Sequence, residues 1–203
     1  MIIGIDFSIN STAVSIRDGD DLTLMSFVPN LELGRAAWRV HESLQSELNI
    51  FSYQKDAITK NAMEDQQIKI RNADRLSSII IDSIGESTLQ KVERINIEGF
   101  SYASKGNAFI DIITYNTFLK CKMYQIVKDR IFVIPPKTLK KIYTGNGNAT
   151  KCDMLRSYLG KNDNQLCTLI REVVTIKEEG EFPIPKPIDD VIDSIALTEI
   201  GTD

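Results

Sequence analysis

Apolar residues in this chain follow two periods, and the order in which those periods alternate predicts the fold. Residues 1–7 are almost continuously apolar (Met1, Ile2, Ile3, Ile5, Phe7), interrupted by Gly4 and Asp6, which marks a buried strand. A turn rich in Ser and Asn leads to a second strand over 12–17, an acidic Gly turn at 18–21 and a third strand near 22–28. Strands joined so tightly form an antiparallel meander. From 34 to about 50, Ala37, Val40, Leu44 and Leu48 recur at helical spacing, and 60–85 is a longer helical pattern carrying Ile68, Leu76, Ile79 and Ile80. Residues 92–97 read as strand, 107–127 as helix and 130–134 as strand. Pro135-Pro136 ends that strand before short helices over 137–143 and 150–159. Residues 161–187, charged and with three prolines, read as a long loop, and a last helix follows Pro187. A meander followed by alternating strands and helices predicts an α/β domain, a mixed five-stranded sheet flanked by helices.

Composition narrows this picture. A chain of 203 residues, 42% hydrophobic, is long enough for one substantial core, so a single domain over 1–203 is expected. No apolar run approaches the roughly 20 residues of a membrane span, and Asp6 interrupts the first hydrophobic stretch where a secretory signal would continue, so the protein is expected in the cytoplasm. Cys121, Cys152 and Cys167 are odd in number and form no CxxC, which points to reduced thiols rather than a disulfide framework or zinc site. The net charge of -4 weighs against a nucleic-acid partner. Its distribution weighs the other way: residues 137–151 carry Lys137, Lys140, Lys141 and Lys151 without one acid.

Three acidic positions stand out against their apolar surroundings. Asp6 closes Ile3-Gly4-Ile5-Asp6, and Glu98 closes Ile95-Asn96-Ile97-Glu98. A carboxylate at the end of a buried strand needs a cation or hydrogen bonds to offset its desolvation. Each acid taken singly also reads as a strand-end cap or a surface residue. Asp189, Asp190 and Asp193 open the terminal helix; a spacing of three puts Asp190 and Asp193 on one face, and a spacing of four brings Asp189 near Asp193. Acids in a first turn are accounted for by the helix dipole. Asp193, set among Ile192, Ile195, Ala196 and Leu197, is not. A hard divalent cation, Mg²⁺ or Mn²⁺, accounts for such a set of oxygens and suits phosphodiester hydrolysis. Gly145 and Gly147 between Lys140 and Lys151 read either as a generic basic loop or as a turn close to a phosphate. Phe100 and Tyr102, near Lys105, are either core residues or aromatics of an exposed loop. His41, the only histidine, belongs to no motif and reads as a surface or packing residue.

An Ile-Gly-Ile-Asp strand with a Ser-Thr turn, a strand ending Ile-Glu, a Pro-x-x-x-Lys segment with Gly-x-Gly-x-Ala-x-Lys, and Asp-x-x-Asp-Ser-x-Ala near the end follow one another along almost the whole chain. In that order they resemble the RuvC family of Holliday-junction resolvases, nearest its phage-encoded branch. The resemblance implies an RNase H-like fold, against whose compact pattern the 30–60 region is a helical insertion, and a metal-dependent endodeoxyribonuclease acting on four-way junctions as a homodimer, in the host cytoplasm if phage-encoded. It assigns two Mg²⁺ ions, replaceable by Mn²⁺, to Asp6, Glu98, Asp190 and Asp193, with Asp189 as an alternative for one place. It assigns phosphate binding and transition-state stabilisation to Lys140 and Lys151. DNA contacts fall to Phe100, Tyr102, Lys105, Lys137 and Lys141, one of the two aromatics stacking on a base. Other readings remain open: a nuclease of the same fold on forks, flaps or other branched nucleic acid, or a junction-binding protein without catalysis.

Overall fold

The computed structural model describes residues 1–29, 35–100 and 107–201, with side chains for all of these except 35–37 and 107–108. Strands β1 (Ile2–Asp6), β2 (Thr12–Asp18) and β3 (Asp21–Pro29) form the expected antiparallel meander. Helix α1 (Arg35–Leu44) and strand β4 (Leu48–Tyr53) follow, then α2 (Ala62–Ile84), α3 (Glu86–Lys91), β5 (Arg94–Glu98), α4 (Asn107–Val127) and β6 (Ile131–Ile134). Four helices complete the chain: α5 (Pro136–Thr144), α6 (Lys151–Lys161), α7 (Gln165–Val173) and α8 (Ile188–Thr198). The sheet order is β4-β3-β2-β1-β5-β6, with β5 parallel to β1 and β6 parallel to β5. Strands β3-β2-β1-β5-β6 have the order of the expected five-stranded sheet; β4 is a sixth, added parallel to β3 on the far edge.

Two cores cover the two faces. On one, Ile3, Ile5, Val14, Ile95 and Ile97 pack against Leu76 and Ile80 of α2 and Leu119 and Met123 of α4. On the other, Ala13, Leu24 and Leu48 meet Leu139, Leu155, Tyr158, Ile170, Ile192, Ile195 and Leu197 from α5 to α8. Among the described residues no helix is long and apolar enough to cross a membrane.

The seating of α8 decides where the site lies. Because strand side chains alternate, Ile3 and Ile5 fill the first core while Gly4 and Asp6 face α8. A Cβ on Gly4 would stand 2.1 Å from the Ser194 carbonyl oxygen and 2.8 Å from Leu197 Cβ, so only glycine lets the helix lie this close. Polar side chains then hold it in register. Asn96 Nδ2 donates to the carbonyls of Leu197 (2.8 Å) and Ile200 (3.0 Å), Arg17 Nε donates to Thr198 Oγ1 (3.0 Å), and the Ser15 and Ser194 hydroxyls bond at 2.6 Å.

Three segments differ from the sequence expectation. The helix expected to about residue 50 ends at Leu44, and Leu48–Tyr53 is a strand in which Phe51 stacks on Phe27 at 5.1 Å. Leu44 and Leu48 are both buried, but on successive elements. The long loop over 161–187 contains α7, capped by the Asn164 side chain and burying Leu166, Cys167 and Ile170. Short α3 fills the step between α2 and β5.

Candidate metal centre

Asp6 and Glu98 are the last residues of neighbouring parallel strands, so both carboxyl groups emerge at the carboxyl edge of the sheet, where open α/β sheets place their ligands. Gly4 lets α8 lie close at Ser194, Leu197 and Thr198, which sets the preceding turn, with Asp193, at that edge. Of the eleven residues of α8, only Asp193 is not fully buried, and it opens toward the strand ends. Carboxylate oxygens of Asp6, Glu98 and Asp193 lie within 4.8 Å of one another. Oxygens bound to one hard cation at about 2.0–2.6 Å are separated by at most about 5 Å, so the three are spaced to share an ion.

Their electrostatics agree. Burial, reinforced by Asp190, Glu98 and Asp193, pushes the Asp6 carboxyl well above the usual carboxylate range, and Asp6 and Glu98 share a hydrogen bond. Glu98 is raised by burial, held back in part by that bond and by the Lys140 ammonium. Asp193 is pushed up to about 8 by burial and then by Glu98. Burial and mutual repulsion thus oppose ionising all three carboxyls together in the absence of a cation. The donor set is all carboxylate oxygen, which suits Mg²⁺ or Mn²⁺ rather than a thiophilic metal. One further oxygen on each of two neighbouring acids, Asp189 Oδ1 and Asp190 Oδ2, is buried without a hydrogen-bond partner, as expected of groups with unused ligand capacity.

Asp189 and Asp190 differ from the three. Lys151 and Lys186 both pair with Asp189 Oδ2, the latter at 3.0 Å, and Lys186 also pairs with Asp190 Oδ1. Burial works to raise Asp189, but Lys186 and Lys151 outweigh it and hold the carboxyl below its usual range. Asp190 is raised, burial and Asp189 prevailing over Lys186. Asp190, expected to complete a ligand set with Asp6, Glu98 and Asp193, thus has one oxygen paired with an ammonium group and the other without a hydrogen-bond partner.

The chain's fold is similar to that of Thermus thermophilus RuvC. That structure is 12% identical over 97% of this chain and 90% of that one, with a TM-score of 0.49. Thermus thermophilus RuvC in complex with Holliday junction substrate gives 11% identity, 97% and 89% coverage and a TM-score of 0.45. No protein-family model matches the chain, and no curated protein matches it in sequence.

Basic residues border the acids. Pro136 starts α5 directly after β6, which swings Lys140 to within electrostatic reach of Glu98. Lys140, Lys151 and Lys186 line a cavity of about 580 Å³ together with Asn148, Thr150 and Asp189. Gly145 caps α5 in the left-handed conformation, and Gly147 lies where a Cβ would come within 3.1 Å of the Lys137 carbonyl oxygen; both glycines fold the loop back on α5. Lys137 and Lys141 are exposed on α5. Phe100 is half-buried, edge-on to Phe109 at 5.9 Å with Lys120 over its ring. Tyr102 and Lys105 fall outside the described residues. His41 is buried, with Nε2 3.4 Å from Ser26 Oγ, well inside the core.

Lys186 was not among the residues expected from sequence. Its signal is local, a lysine three and four positions ahead of Asp189 and Asp190, just before a helix whose first turn is acidic. Asn96, Ser15 and Arg17 carried no such signal, because their partners are far away in sequence.

Proposed function

We propose that this protein is a divalent-metal-dependent endodeoxyribonuclease that resolves four-way DNA junctions. The observation that carries the proposal is the convergence of Asp6, Glu98 and Asp193 at one edge of the sheet, beside a cavity bordered by Lys140 and Lys151. Asp6, Glu98 and Asp193 would hold a divalent cation, and Asp190 would contribute to a second. When bound, such ions supply an activated water and neutralise charge on the leaving oxygen of a phosphodiester. The chain supplies position. Asp6 and Glu98 are fixed by strand pairing, and Asp193 by the Gly4 contact and the polar anchors of α8. Lys140 and Lys151 present ammonium groups to the phosphate oxygens, where charge accumulates in the transition state. Lys137 and Lys141, and Lys105 and an aromatic of the Phe100–Tyr102 stretch, contact the flanking DNA. The products carry 5′-phosphate and 3′-hydroxyl ends.

Junction specificity rests on the resemblance of the motif order to RuvC resolvases. A four-way junction has two-fold symmetry, and a symmetric dimer of this chain sets one centre against each of two opposed strands.

The test is cleavage of a labelled synthetic four-way junction beside matched duplex and fork, with Mg²⁺, Mn²⁺ or EDTA, by wild type and Asp6→Asn. Paired, metal-dependent cuts in the junction, abolished by the substitution, are expected. Faster cutting of the fork would overturn the substrate assignment, and binding without cutting under any divalent ion would overturn the nuclease.

A further inference from the structure

The same edge of the sheet holds a half-exposed cation of the protein's own, paired with two buried acids. Lys186 sits between Pro185 and Pro187, and its ammonium reaches Asp190 Oδ1 and Asp189 Oδ2. Asp189 and Asp190 are only 6% and 3% exposed, and each keeps one buried oxygen without a partner. Two carboxylates offer far more acceptor capacity than one ammonium uses. Asp189 has a second counter-ion in Lys151; the ammonium paired with Asp190 is that of Lys186.

We propose that Lys186 occupies the place of a second divalent cation in the DNA-free protein, so that the chain loads one ion at Asp6, Glu98 and Asp193 and admits another at Asp190 only when a phosphate draws Lys186 away. The inference rests on the metal-centre reading of those three acids. Three observations carry it beyond that reading. Asp190 lies next to the three yet does not share their oxygen cluster, and its Oδ1 faces Lys186. An ammonium and a divalent cation cannot share these oxygens, since like charges a few ångströms apart in a poorly solvated site repel strongly. The Lys186 side chain is 42% exposed and borders the same cavity as Lys140 and Lys151, so the ammonium has an open path toward an entering phosphate. Flanking prolines restrict the backbone, which leaves the movement to the four-carbon side chain.

Mn²⁺ bound per chain, counted by titration calorimetry and by electron paramagnetic resonance of the free ion, tests this without any cleavage. Wild type without DNA is expected to bind one ion, Lys186→Met two, and Lys186→Arg one, because arginine keeps the charge. Addition of a short phosphorothioate oligonucleotide is expected to give the wild type its second ion. Circular dichroism and melting establish that each variant is folded, and Lys186→Gln replaces the methionine variant if that one is not. Two equivalent ions on the DNA-free wild type, a single ion on the folded uncharged variant, or no gain on adding the oligonucleotide would each overturn the proposal. Absence of any bound ion in every variant would instead overturn the metal centre beneath it.

Discussion

The acid cluster makes a sharp claim about stability that is independent of any substrate. In the unfolded chain Asp193 ionises near pH 4, whereas in the folded protein burial and Glu98 push its carboxyl up to about 8. Between those values the folded state binds more protons than the unfolded state, so stability is complete below about pH 4 and falls as pH rises toward 8. One such group costs about 1.4 kcal/mol per pH unit across that window, a ceiling of about 6 kcal/mol. Asp6, Glu98 and Asp190 are raised as well, so part of the proton uptake is shared, and about 3 kcal/mol is the working figure for Asp193 alone. Asp193→Asn removes that charge while keeping size and polarity. In EDTA at pH 8 the variant should melt higher than wild type by roughly 6–12 °C, taking about 2–4 °C per kcal/mol for a domain of this size. At pH 5 the two should melt within a few degrees of each other. Mn²⁺ at about 1,000 times its Kd should return about 4 kcal/mol to wild type and little to the variant, reversing their order at pH 8. Scanning calorimetry at pH 5, 6.5 and 8, with EDTA and with Mn²⁺, gives all these values. A wild type whose melting temperature is flat or rising from pH 5 to 8 in EDTA, or an asparagine variant no more stable than wild type there, would refute the reasoning.

Gly4→Ala forces a Cβ to 2.1 Å from the Ser194 carbonyl oxygen; as a backbone contact it cannot relax cheaply, and a loss of at least about 3 kcal/mol is expected, together with weaker Mn²⁺ stabilisation as α8 lifts from the strand ends. Denaturant titrations with and without Mn²⁺ check both effects, and an undiminished Mn²⁺ effect would dissociate α8 seating from the site. Asn96→Leu removes the donor to two buried carbonyls, Leu197 and Ile200, and should cost about 2–4 kcal/mol in urea unfolding. Lys140→Gln should lower the single-turnover cleavage rate by about 10²-fold, as loss of a group that stabilises developing charge does, while Mn²⁺ binding stays equal or tightens because a positive neighbour of Glu98 has gone. A loss of DNA affinity with an unchanged rate would make Lys140 a binding residue only.

Much of the architecture was legible because two strands share one sentence structure. Ile3-Gly4-Ile5-Asp6 and Ile95-Asn96-Ile97-Glu98 each alternate large apolar residues with small or polar ones and end on an acid. Side-by-side parallel pairing then puts both acids on the same face at the same edge, as the structure shows. The terminal helix was legible from the same kind of conflict, an acid at Asp193 among residues that had to be core. Strand β4 was not, because Leu44 and Leu48 are spaced as a helix would space them, and the rest of the strand, with its β-branched and aromatic residues, was absorbed into that pattern. Helix α7 was hidden by the charges on either side and the prolines after it, although Leu166, Ile170 and Val173 repeat at helical spacing. Choices among partners lie deeper still. Spacing alone offered both Asp189 and Asp190 beside Asp193; the separation between them comes from Lys151 and Lys186, whose approach depends on how the loops before α6 and α8 fold.

That division of counter-charge is the physical key to the centre. Helix α8 is at once the most buried helix on its face and the carrier of three carboxyl groups, two demands that oppose each other. The protein reconciles them unevenly. Asp189 receives two ammonium groups and stays ionised; Asp190 receives one. In the cluster of Asp6, Glu98 and Asp193 the cation acting most strongly on Glu98 is Lys140, and together with Lys151 it does not prevent all three carboxyls from being raised. Had the acids been retained only to cap α8 and the strand ends, the cluster would be the least economical place to leave charge uncompensated. A fold that spends Asn96, Arg17, Ser15 and a glycine on pressing α8 against the strands, and thereby holds those acids together, is stabilising an arrangement whose oxygens are spaced to take a metal cation.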